Sequence, residues 1–513
     1  MAYLLGIDIG TSGTKTVLFD TVGNVVASAL EEYPLYQPHV GWAEQRPEDW
    51  WHATFTTIET VLAKSGVDKQ DIKGIGLSGQ MHGLVLLDAH NRVIRPSIIW
   101  CDQRTTAECE QITTLIGRER LIEITANPAL TGFTASKIMW IKNHEPKNYE
   151  KTAKILLPKD YIRFMLTGVF ATEVSDASGM QLMNIAERSW SDEVLTKLGI
   201  DKALLANMYE SYEISGTVSA QAAALTGLNI GTPVGGGAGD QAAGAVGNGI
   251  VKSGIVSSTI GTSGVVFAYT DKVTIDPNGR VHTFCHAVPG TWHVMGVTQG
   301  AGLSLKWFRD NFCQAEMETA KGMGVDPYYL MDSQAAKVAA GCEGLMYLPY
   351  LMGERTPHLD ADAKGVFYGL SARHTRQDML RAVMEGVSYS LKDCMEIIKG
   401  MGIPVSEVRA SGGGGKSKLW RQMQADMFNT DIVTISASEG PALGVALLAG
   451  VGAGVYKSVA EACEVTIKTA SKQQADAMNA NAYAQYYPIY GDLYQALKQT
   501  YKQTAQVMAQ LGK

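Results

Sequence analysis

The sequence lacks the motifs of several large enzyme classes. It contains no H-E-x-x-H and no G-x-S-x-G pattern, so metalloprotease and α/β-hydrolase active sites are without their main signals. Only 7 of the 513 residues are cysteine, an odd number, and none of them forms a C-x-x-C pair. This usage argues against a disulfide framework and against a zinc site, and it predicts reduced thiols in a cytoplasmic protein.

Long runs of one charge or of apolar residues are also missing. The 44 basic and 51 acidic residues give a net charge of −7, with no Lys/Arg cluster of the kind that binds nucleic acid. The longest uncharged apolar stretch, residues 441–456, is rich in Gly and Ala and shorter than the ~20 residues of a membrane-spanning helix. The first residues lack a basic region and reach Asp8 almost at once, which favours a first strand over a signal peptide. Neither a nucleic-acid nor a membrane partner is expected.

What the sequence does contain is an ordinary globular balance and much glycine. Hydrophobic residues make up 46% and charged residues 19%, and 513 residues predict two or three domains. The 54 glycines fall in clusters, which indicates tight loops where backbone approaches backbone or ligand.

One short segment occurs twice. The tetrapeptide Gly-Thr-Ser-Gly begins at Gly10 and again at Gly261, each time between two segments with strand character. A repeat at about half the chain length, in the same strand–turn–strand context, suggests two related halves. Short strands alternate with helical patterns in both halves, so an α/β fold is predicted, with domains at residues 1–247 and 248–513.

The first repeat is a candidate phosphate site. Asp8 ends a buried strand, where a carboxylate must be paired or hold a cation. The turn that follows offers backbone N–H groups and hydroxyls that can bind phosphate oxygens, with Mg²⁺ on Asp8. The alternative is a plain hairpin in which Asp8 caps its own turn. The second copy at Gly261 favours a pair of phosphate-binding hairpins.

Asp240 is a candidate base. It follows a run of small residues, 235–239, and precedes a segment rich in Ala and Gly. At a helix N-terminus its ionised form is stabilised, and it could accept a proton from an attacking hydroxyl. The alternative is an ordinary N-cap aspartate.

A second glycine run resembles a Walker A loop without matching it. Residues 411–417 read Ser-Gly-Gly-Gly-Gly-Lys-Ser, but the pattern requires glycine at position 410, which is Ala410. A Gly-rich turn between a strand and a helix can still pack against a nucleotide, and a flexible loop is the alternative.

Polar side chains follow two predicted strands of the first half. Gln80 and His82 come after residues 72–77, and Asp102 follows residues 98–99. In α/β folds such positions bind small ligands. These groups could hydrogen-bond a polyol, with Trp100 as an apolar wall. A structural role for His82 is the alternative.

These residues together resemble the FGGY carbohydrate kinases. Residues 133–141, Phe-Thr-Ala-Ser-Lys-Ile-Met-Trp-Ile, are similar to the first signature of that family. The second signature of that family is similar to residues 365–370, 378–379 and 382–385, and the two signatures occur in the same order as in the family. The resemblance implies two actin-like (ribonuclease H-like) ATPase lobes flanking a catalytic cleft.

The resemblance also implies roles for individual residues. It implies ATP-dependent phosphorylation of a ketopentose, with D-xylulose as the best single substrate, Mg²⁺ accompanying ATP, and Asp240 as general base. The implied sugar contacts are Gln80, Met81, His82, Trp100, Asp102 and Asp240. The implied ATP contacts are Gly10, Thr11, Ser12, Lys15, Gly261, Thr262, Gly302, Lys306, Gly413, Gly414 and Ser417. Asp8 and Asp240 are the implied metal-linked acids.

Alternatives remain open within and outside the family. L-ribulose, L-fuculose, D-gluconate or a ketohexose could be the substrate, because a few side chains distinguish such sugars. A non-catalytic sugar or nucleotide sensor could use the same fold. A homodimer is implied only by the family. Residues 472–513 predict a helix whose tyrosines pack on its own lobe, with a dimer contact as the alternative.

Overall fold

The computed structural model describes residues 2–436 and 439–511. The strands are β1 (Tyr3–Ile9), β2 (Gly13–Asp20), β3 (Val25–Glu32), β4 (Glu44–Gln45), β5 (Ile72–Gly79), β6 (Val85–Leu87), β7 (Ser97–Ile98), β8 (Lys154–Leu156), β9 (Ala171–Glu173), β10 (Met183–Asn184), β11 (Ser189–Trp190), β12 (Asn207–Tyr209), β13 (Ile214–Thr217), β14 (Pro233–Gly235), β15 (Ala238–Gly239), β16 (Gly254–Ile260), β17 (Gly264–Thr270), β18 (His282–Cys285), β19 (Trp292–Thr298), β20 (Met346–Leu348), β21 (Val366–Tyr368), β22 (Val405–Ser411), β23 (Ile432–Ile435) and β24 (Thr469–Gln473).

Helices alternate with these strands along the chain. They are α1 (Pro47–Ser65), α2 (Thr106–Ile116), α3 (Arg118–Thr125), α4 (Thr134–His144), α5 (Pro146–Lys151), α6 (Pro158–Thr167), α7 (Val174–Ala177), α8 (Asp192–Leu198), α9 (Ala220–Thr226), α10 (Asp240–Gly247), α11 (Ala301–Phe312), α12 (Gln314–Met323), α13 (Pro327–Ala335), α14 (Arg376–Gly400), α15 (Lys418–Phe428), α16 (Gly440–Gly452), α17 (Val459–Thr466) and α18 (Ala477–Gln510). The predicted α/β class is confirmed.

The chain forms two compact units, and neither is one continuous segment. Unit 1 comprises Met1–Lys252, Tyr269–His293 and Ser436–Lys468. Unit 2 comprises Ser253–Ala268, Val294–Ile435 and Thr469–Lys513. That the two lobes comprise residues 1–247 and residues 248–513 stays a prediction.

The main sheet of unit 1 places its parallel strands beside the first hairpin. The strand order is β13-β14-β5-β1-β2-β3, and β15 also pairs with β5. β1 and β2 are antiparallel, whereas β1, β14 and β15 all pair with β5 in parallel. The carboxyl ends of β1, β5 and β15 therefore meet at one edge of the sheet.

Helix α16 packs directly on this sheet through glycine. A β-carbon on Gly6 would lie 2.0 Å from Ala442 O, and one on Gly76 would lie 1.9 Å from Val445 O. Only glycine allows the helix backbone to approach the strands so closely. The apolar segment 441–456 is therefore largely a buried helix of unit 1. No helix among residues 2–436 and 439–511 combines the length and apolar character needed to cross a membrane.

Unit 2 repeats the arrangement around the second hairpin. Its sheet runs in the order β19-β17-β16-β22-β23-β24. β16 and β17 are antiparallel, and β22 pairs with β16 in parallel. In both units the first strand of the hairpin, β1 or β16, thus pairs with a parallel strand, β5 or β22. The second strand of the hairpin, β2 or β17, pairs with a further strand, β3 or β19. The predicted relation between the two copies of Gly-Thr-Ser-Gly is confirmed at the level of strand order.

The C-terminal helix α18 packs within unit 2, as predicted. It continues through Pro488. Its Tyr483 hydroxyl accepts a hydrogen bond from Arg381 at 2.9 Å and donates one to Glu385 at 2.8 Å, both on α14. The tyrosine row therefore belongs to the unit's own core.

Candidate active site

The sheet edge of unit 1 brings Asp8 and Asp240 together. Asp8 and Ala238 are both paired with Ser78 of the intervening strand β5. Asp240 follows β15 directly and is the first residue of α10. Two segments that are more than two hundred residues apart in sequence therefore deliver their carboxyl groups to one place, because parallel strands end at the same edge.

Burial raises the pKa of both carboxyl groups, and at Asp240 the charge of Asp8 raises it further. Burial is the main cause at Asp8, where Ser78 and the charge of Lys15 act in the opposite direction. The pKa of Asp240 is raised to about 7, first by burial and then by the charge of Asp8, against hydrogen bonds from Gln241. A carboxyl group with a pKa near neutrality is suited to accept a proton.

Asp8 also has an unsatisfied oxygen. Its Oδ1 is buried and has no hydrogen-bond partner among the described residues. A buried carboxylate oxygen in this state fits a cation or a water bound to one. The described residues contain no cluster of three or more His, Cys, Asp or Glu side chains able to hold a metal on their own.

The hairpin after Asp8 presents free backbone donors. Gly10 N donates to Gly13 O at 3.0 Å and closes the turn. Within the described chain, the N–H groups of Thr11 and Ser12 donate no hydrogen bond. Two successive N–H groups in a turn form a concave site for an anion such as phosphate.

Lys15 lies beside this hairpin. It pairs with Asp8 across β1 and β2, and its Nζ lies 2.5 Å from Glu439 Oε2. The ammonium group thus pairs with Glu439 at the start of α16, and its charge acts against the raised pKa of Asp8. Its contact with ATP stays a prediction.

The loop after β5 places Met81 against the residue that precedes Asp240. A β-carbon on Gly239 would lie 3.0 Å from Met81 Cγ. Gln80 is buried, and its Nε2 donates to Gln45 Oε1 at 2.8 Å and to Gly10 O at 3.3 Å. Met81 is therefore next to the candidate base, while the Gln80 amide supports the first hairpin.

His82 is held in one orientation. It has a left-handed backbone conformation, with φ of 69°, and its Nδ1 lies 2.8 Å from Gly179 O. A carbonyl oxygen only accepts, so Nδ1 carries the proton and Nε2 is the acceptor nitrogen of the neutral ring. Phe133 contacts the ring edge to face, with a centroid distance of 4.9 Å. In this orientation the Nε2 atom of the neutral ring can accept a hydrogen bond from a hydroxyl group.

Trp100 and Asp102 make contacts that their sequence positions do not reveal. The Trp100 indole N–H donates to Thr11 Oγ1 at 2.9 Å. Asp102 is fully buried, accepts from Ala43 N at 2.6 Å, and forms a two-point ion pair with Arg104. Trp100 thus links its loop to the phosphate hairpin, and both Asp102 oxygens are bonded within the protein. Direct sugar contacts of these two residues stay predictions.

The second hairpin, in unit 2, has the same free donors. Gly261 N donates to Ser263 O at 2.9 Å, and the N–H groups of Thr262 and Ser263 donate to no other described residue. Gly302 N and Leu303 N, in the first turn of α11, donate to Gly261 O and Thr262 O at 2.8 and 3.0 Å. The predicted residues Gly261, Thr262 and Gly302 are therefore in direct contact.

The glycine run after β22 lies over the same hairpin. Gly412 has a positive φ of 75°, and a β-carbon there would lie 2.5 Å from Ile260 O. A β-carbon on Gly414 would lie 2.5 Å from Ile260 Cγ2, and one on Gly413 would lie 3.9 Å from Ile260 O. The run thus packs on the residue that precedes Gly261, where it can line a nucleotide.

Two predicted ATP contacts have other partners. Ser417 caps α15, its Oγ accepting from Trp420 N at 3.0 Å. The Lys306 side chain is 61% exposed and lies 3.7 Å from Asp310 Oδ2. Their contacts with ATP stay predictions.

Family comparison agrees with this arrangement. The model for the N-terminal domain of the FGGY family of carbohydrate kinases matches residues 3–247, and the model for the C-terminal domain matches residues 256–453. The chain belongs to the FGGY family of carbohydrate kinases. The family resemblance predicted from the motifs is confirmed, and the chain is a carbohydrate kinase of a family that uses a nucleotide substrate.

Individual relatives of the FGGY family match nearly the whole chain. The xylulose kinase of Bacillus subtilis is 42% identical, over 94% of this chain and 95% of the relative. The gluconokinase of the same organism is 34% identical, over 87% of each chain. The solved xylulose kinase of Rhodospirillum rubrum is 29% identical, with a TM-score of 0.90, covering 98% of this chain and 100% of that one. The predicted actin-like two-lobe fold is confirmed.

Some residues around this kinase site are not visible as a motif. Ser78 separates Asp8 from Ala238, Gln45 donates to Thr11 O at 2.7 Å, and Glu439 pairs with Lys15. A polar Ser78 at the end of an otherwise apolar strand was a weak signal. Gln45 and Glu439 carried none, because only the fold brings them to the hairpin.

The raised pKa of Asp240 predicts a pH-dependent stability. Between the unfolded-state pKa near 4 and the folded-state pKa of about 7, rising pH ionises Asp240 in the unfolded chain but not in the folded protein, so the free energy of unfolding decreases. The decrease is complete once pH exceeds about 7. Asp240→Asn should therefore leave the melting temperature unchanged at pH 4 and raise it by a few degrees at pH 8, as measured by calorimetry.

Asp276 provides the opposite control. Its pKa is lowered, and Arg280 pairs with it at 2.9 Å. Asp276→Asn should lower the melting temperature by a similar amount at pH 8 and pH 5, and the difference should shrink only as pH falls below about 4. Equal melting temperatures for wild type and Asp240→Asn at every pH would contradict a raised pKa at Asp240.

Proposed function

We propose that this carbohydrate kinase transfers the terminal phosphoryl group of ATP to D-xylulose and forms D-xylulose 5-phosphate. The observation that carries the proposal is the placement of Met81, which lies against Gly239 next to Asp240 and, together with His82, against Gly179. A polar ring, an apolar side chain and a proton acceptor in one place suit a polyol with one reacting hydroxyl.

The choice of D-xylulose over a sugar acid follows the relatives. The match to the xylulose kinase is 42% identical over 94% of the chain, and the match to the gluconokinase is 34% over 87%. Of the three side chains of the loop 80–82, Gln80 and Met81 are uncharged, and His82 Nδ1 lies 2.8 Å from Gly179 O. A carboxylate substrate would favour a permanently cationic partner such as Arg or Lys, and the loop 80–82 contains neither.

Asp240 is the proposed general base. It accepts the proton of the sugar hydroxyl as the hydroxyl oxygen forms its bond to the terminal phosphorus, and the bond from that phosphorus to the bridging oxygen of ADP breaks. Near pH 7 a substantial fraction of Asp240 is ionised. The nearby Asp8 charge makes the carboxylate a stronger base than an exposed aspartate.

The proposed sugar contacts act by positioning. His82 Nε2 accepts a hydroxyl hydrogen, and Met81 shapes the apolar floor next to Asp240. Gln80, Trp100 and Asp102 support the loops around them through the contacts described above. Orienting one hydroxyl near the phosphoryl group supplies a large part of the acceleration in such reactions.

ATP and its Mg²⁺ are the proposed co-substrate. The free N–H groups of Thr11, Ser12, Thr262 and Ser263 suit phosphate oxygens, and the glycine run 412–414 suits the nucleoside side. Asp8, whose Oδ1 has no hydrogen-bond partner among the described residues, would hold the Mg²⁺ with Asp240 nearby, and the ion would neutralise phosphate charge. A homodimer and a cytoplasmic location remain predictions.

A substrate panel tests the proposed function. ADP release with Mg-ATP should be fastest with D-xylulose among D-xylulose, L-ribulose, L-fuculose, a ketohexose, glycerol and D-gluconate. Asp240→Asn should lower kcat for D-xylulose by about 100-fold or more while sugar affinity stays nearly unchanged, because a general base is lost.

Each other outcome has a definite meaning. Preference for D-gluconate or another sugar would keep the kinase and overturn the D-xylulose assignment. No turnover with any sugar, together with nucleotide binding, would favour a sensor. An active Asp240→Asn variant would remove Asp240 from the role of base.

His82 should affect sugar binding more than turnover. His82→Ala removes one hydrogen bond to the sugar, so KM for D-xylulose should rise about 10-fold while kcat falls less. His90→Ala, at an exposed turn of the same unit, is the matched control and should change neither constant. An unchanged KM in His82→Ala would assign His82 a purely structural role.

A further inference from the structure

Arg355 of unit 2 has a charged side chain that forms no hydrogen bond or ion pair with another described residue. Its backbone N donates to Glu354 Oε1 at 2.7 Å and its carbonyl accepts from Leu359 N. Among the described residues its guanidinium makes no hydrogen bond, ion pair or ring contact. The residue is nevertheless only partly exposed. Guanidinium groups withdrawn from water normally pair with a carboxylate or phosphate.

The acids nearest in sequence accept hydrogen bonds from other groups. Glu354 Oε2 accepts from Thr298 Oγ1 at 2.6 Å and from Ser390 Oγ at 3.2 Å. Its Oε1 accepts from Gln299 N at 2.9 Å as well as from Arg355 N. Burial raises the pKa of Glu354 to about 7, which weakens its negative charge at neutral pH.

Asp360 is occupied in the same way. Its Oδ2 accepts from the Tyr494 hydroxyl at 2.8 Å and its Oδ1 accepts from Asp362 N at 2.9 Å. Burial lowers the pKa of Arg355, and the charge of Glu354 only partly opposes this effect. The guanidinium therefore lies in surroundings that favour an added anion.

The contacts of Glu354 place Arg355 near the second phosphate hairpin. Glu354 is bonded to Thr298 and Gln299 at the end of β19. A β-carbon on Gly264, the last residue of the Gly261–Gly264 repeat, would lie 2.7 Å from Thr298 Cγ2. The strand end that anchors Glu354 is thus in contact with the hairpin, and an arginine side chain spans several ångströms.

We propose that Arg355 binds the phosphoryl group that the kinase transfers, together with the free N–H groups of Thr262 and Ser263. A planar guanidinium can form two parallel hydrogen bonds to one phosphate, and a cation at this position stabilises charge on the transferred group. Arg355 is then a catalytic residue of unit 2. The inference rests on the proposed function only in taking Mg-ATP as the phosphoryl donor.

Nucleotide binding without sugar tests this assignment. In titration calorimetry with Mg²⁺, Arg355→Ala should weaken binding of the ATP analogue AMP-PNP by at least about 10-fold, as expected for a charge-assisted hydrogen bond. Affinity for ADP, which lacks the terminal phosphate, should change by less than about 2-fold. Turnover should fall by about 100-fold, and added guanidinium ion, at concentrations that leave the protein folded, should restore part of it.

Controls separate a binding role from a structural one. Arg373→Ala removes an exposed arginine of the same unit that pairs with Glu343 at 3.0 Å, and it should change neither affinity. Arg355→Lys keeps the charge and should retain part of the AMP-PNP affinity, which keeps the test valid if Arg355→Ala folds poorly.

The other outcomes would overturn the proposal. Equal weakening of AMP-PNP and ADP, or no weakening of either, would exclude contact with the transferred group. Wild-type protein that binds neither nucleotide would overturn the proposed function as well, whereas normal wild-type binding with an unaffected variant would overturn the role of Arg355 alone.

Discussion

The close approach of two carboxyl groups at one sheet edge is the constraint on which the candidate site depends. Asp8 lies near the end of β1 and Asp240 directly follows β15, and both strands pair with β5 in parallel, so neither residue can leave the edge without disrupting the sheet. Both residues are only partly exposed, and the charge of Asp8 raises the free energy of ionised Asp240. The fold thereby holds a carboxyl group at a pKa useful for proton transfer, at a cost in stability that α16 and the surrounding core must offset.

Glycine makes that geometry possible from the other side of the sheet. Gly6 and Gly76 admit the backbone of α16 to within contact of β1 and β5. The same helix begins next to Glu439, which pairs with Lys15 beside the first hairpin. Packing and electrostatics at the edge are therefore connected through one helix that comes from a distant part of the chain.

Much of this arrangement could be predicted from local sequence. The strand–turn–strand pattern around Gly10 and Gly261, the small residues before Asp240, and the strand before Gln80 all lie where the sequence placed them, because each is set by residues close in the chain. The repeat was informative since both copies keep the same strand order. The family signatures added the reaction class.

Other features depend on contacts that sequence patterns do not encode. Residues 436–468 belong to unit 1 because the backbone of α16 packs against two glycines of its sheet. Composition shows this segment only as an apolar stretch. Asp102 is bonded to Ala43 and Arg104, partners fixed by tertiary structure. Arg355 stands out only once its neighbours' hydrogen bonds are known.

The most direct test of the account is a carboxyl ¹³C NMR titration of protein labelled at aspartate, with Asp240 assigned by its absence in Asp240→Asn. The account predicts that Asp240 titrates near pH 7, and that Asp8→Asn lowers its midpoint because a neighbouring negative charge is removed. A wild-type midpoint near 4, or a midpoint unaffected by Asp8→Asn, would contradict the electrostatic coupling of the two carboxyl groups and with it the assignment of Asp240 as a tuned base.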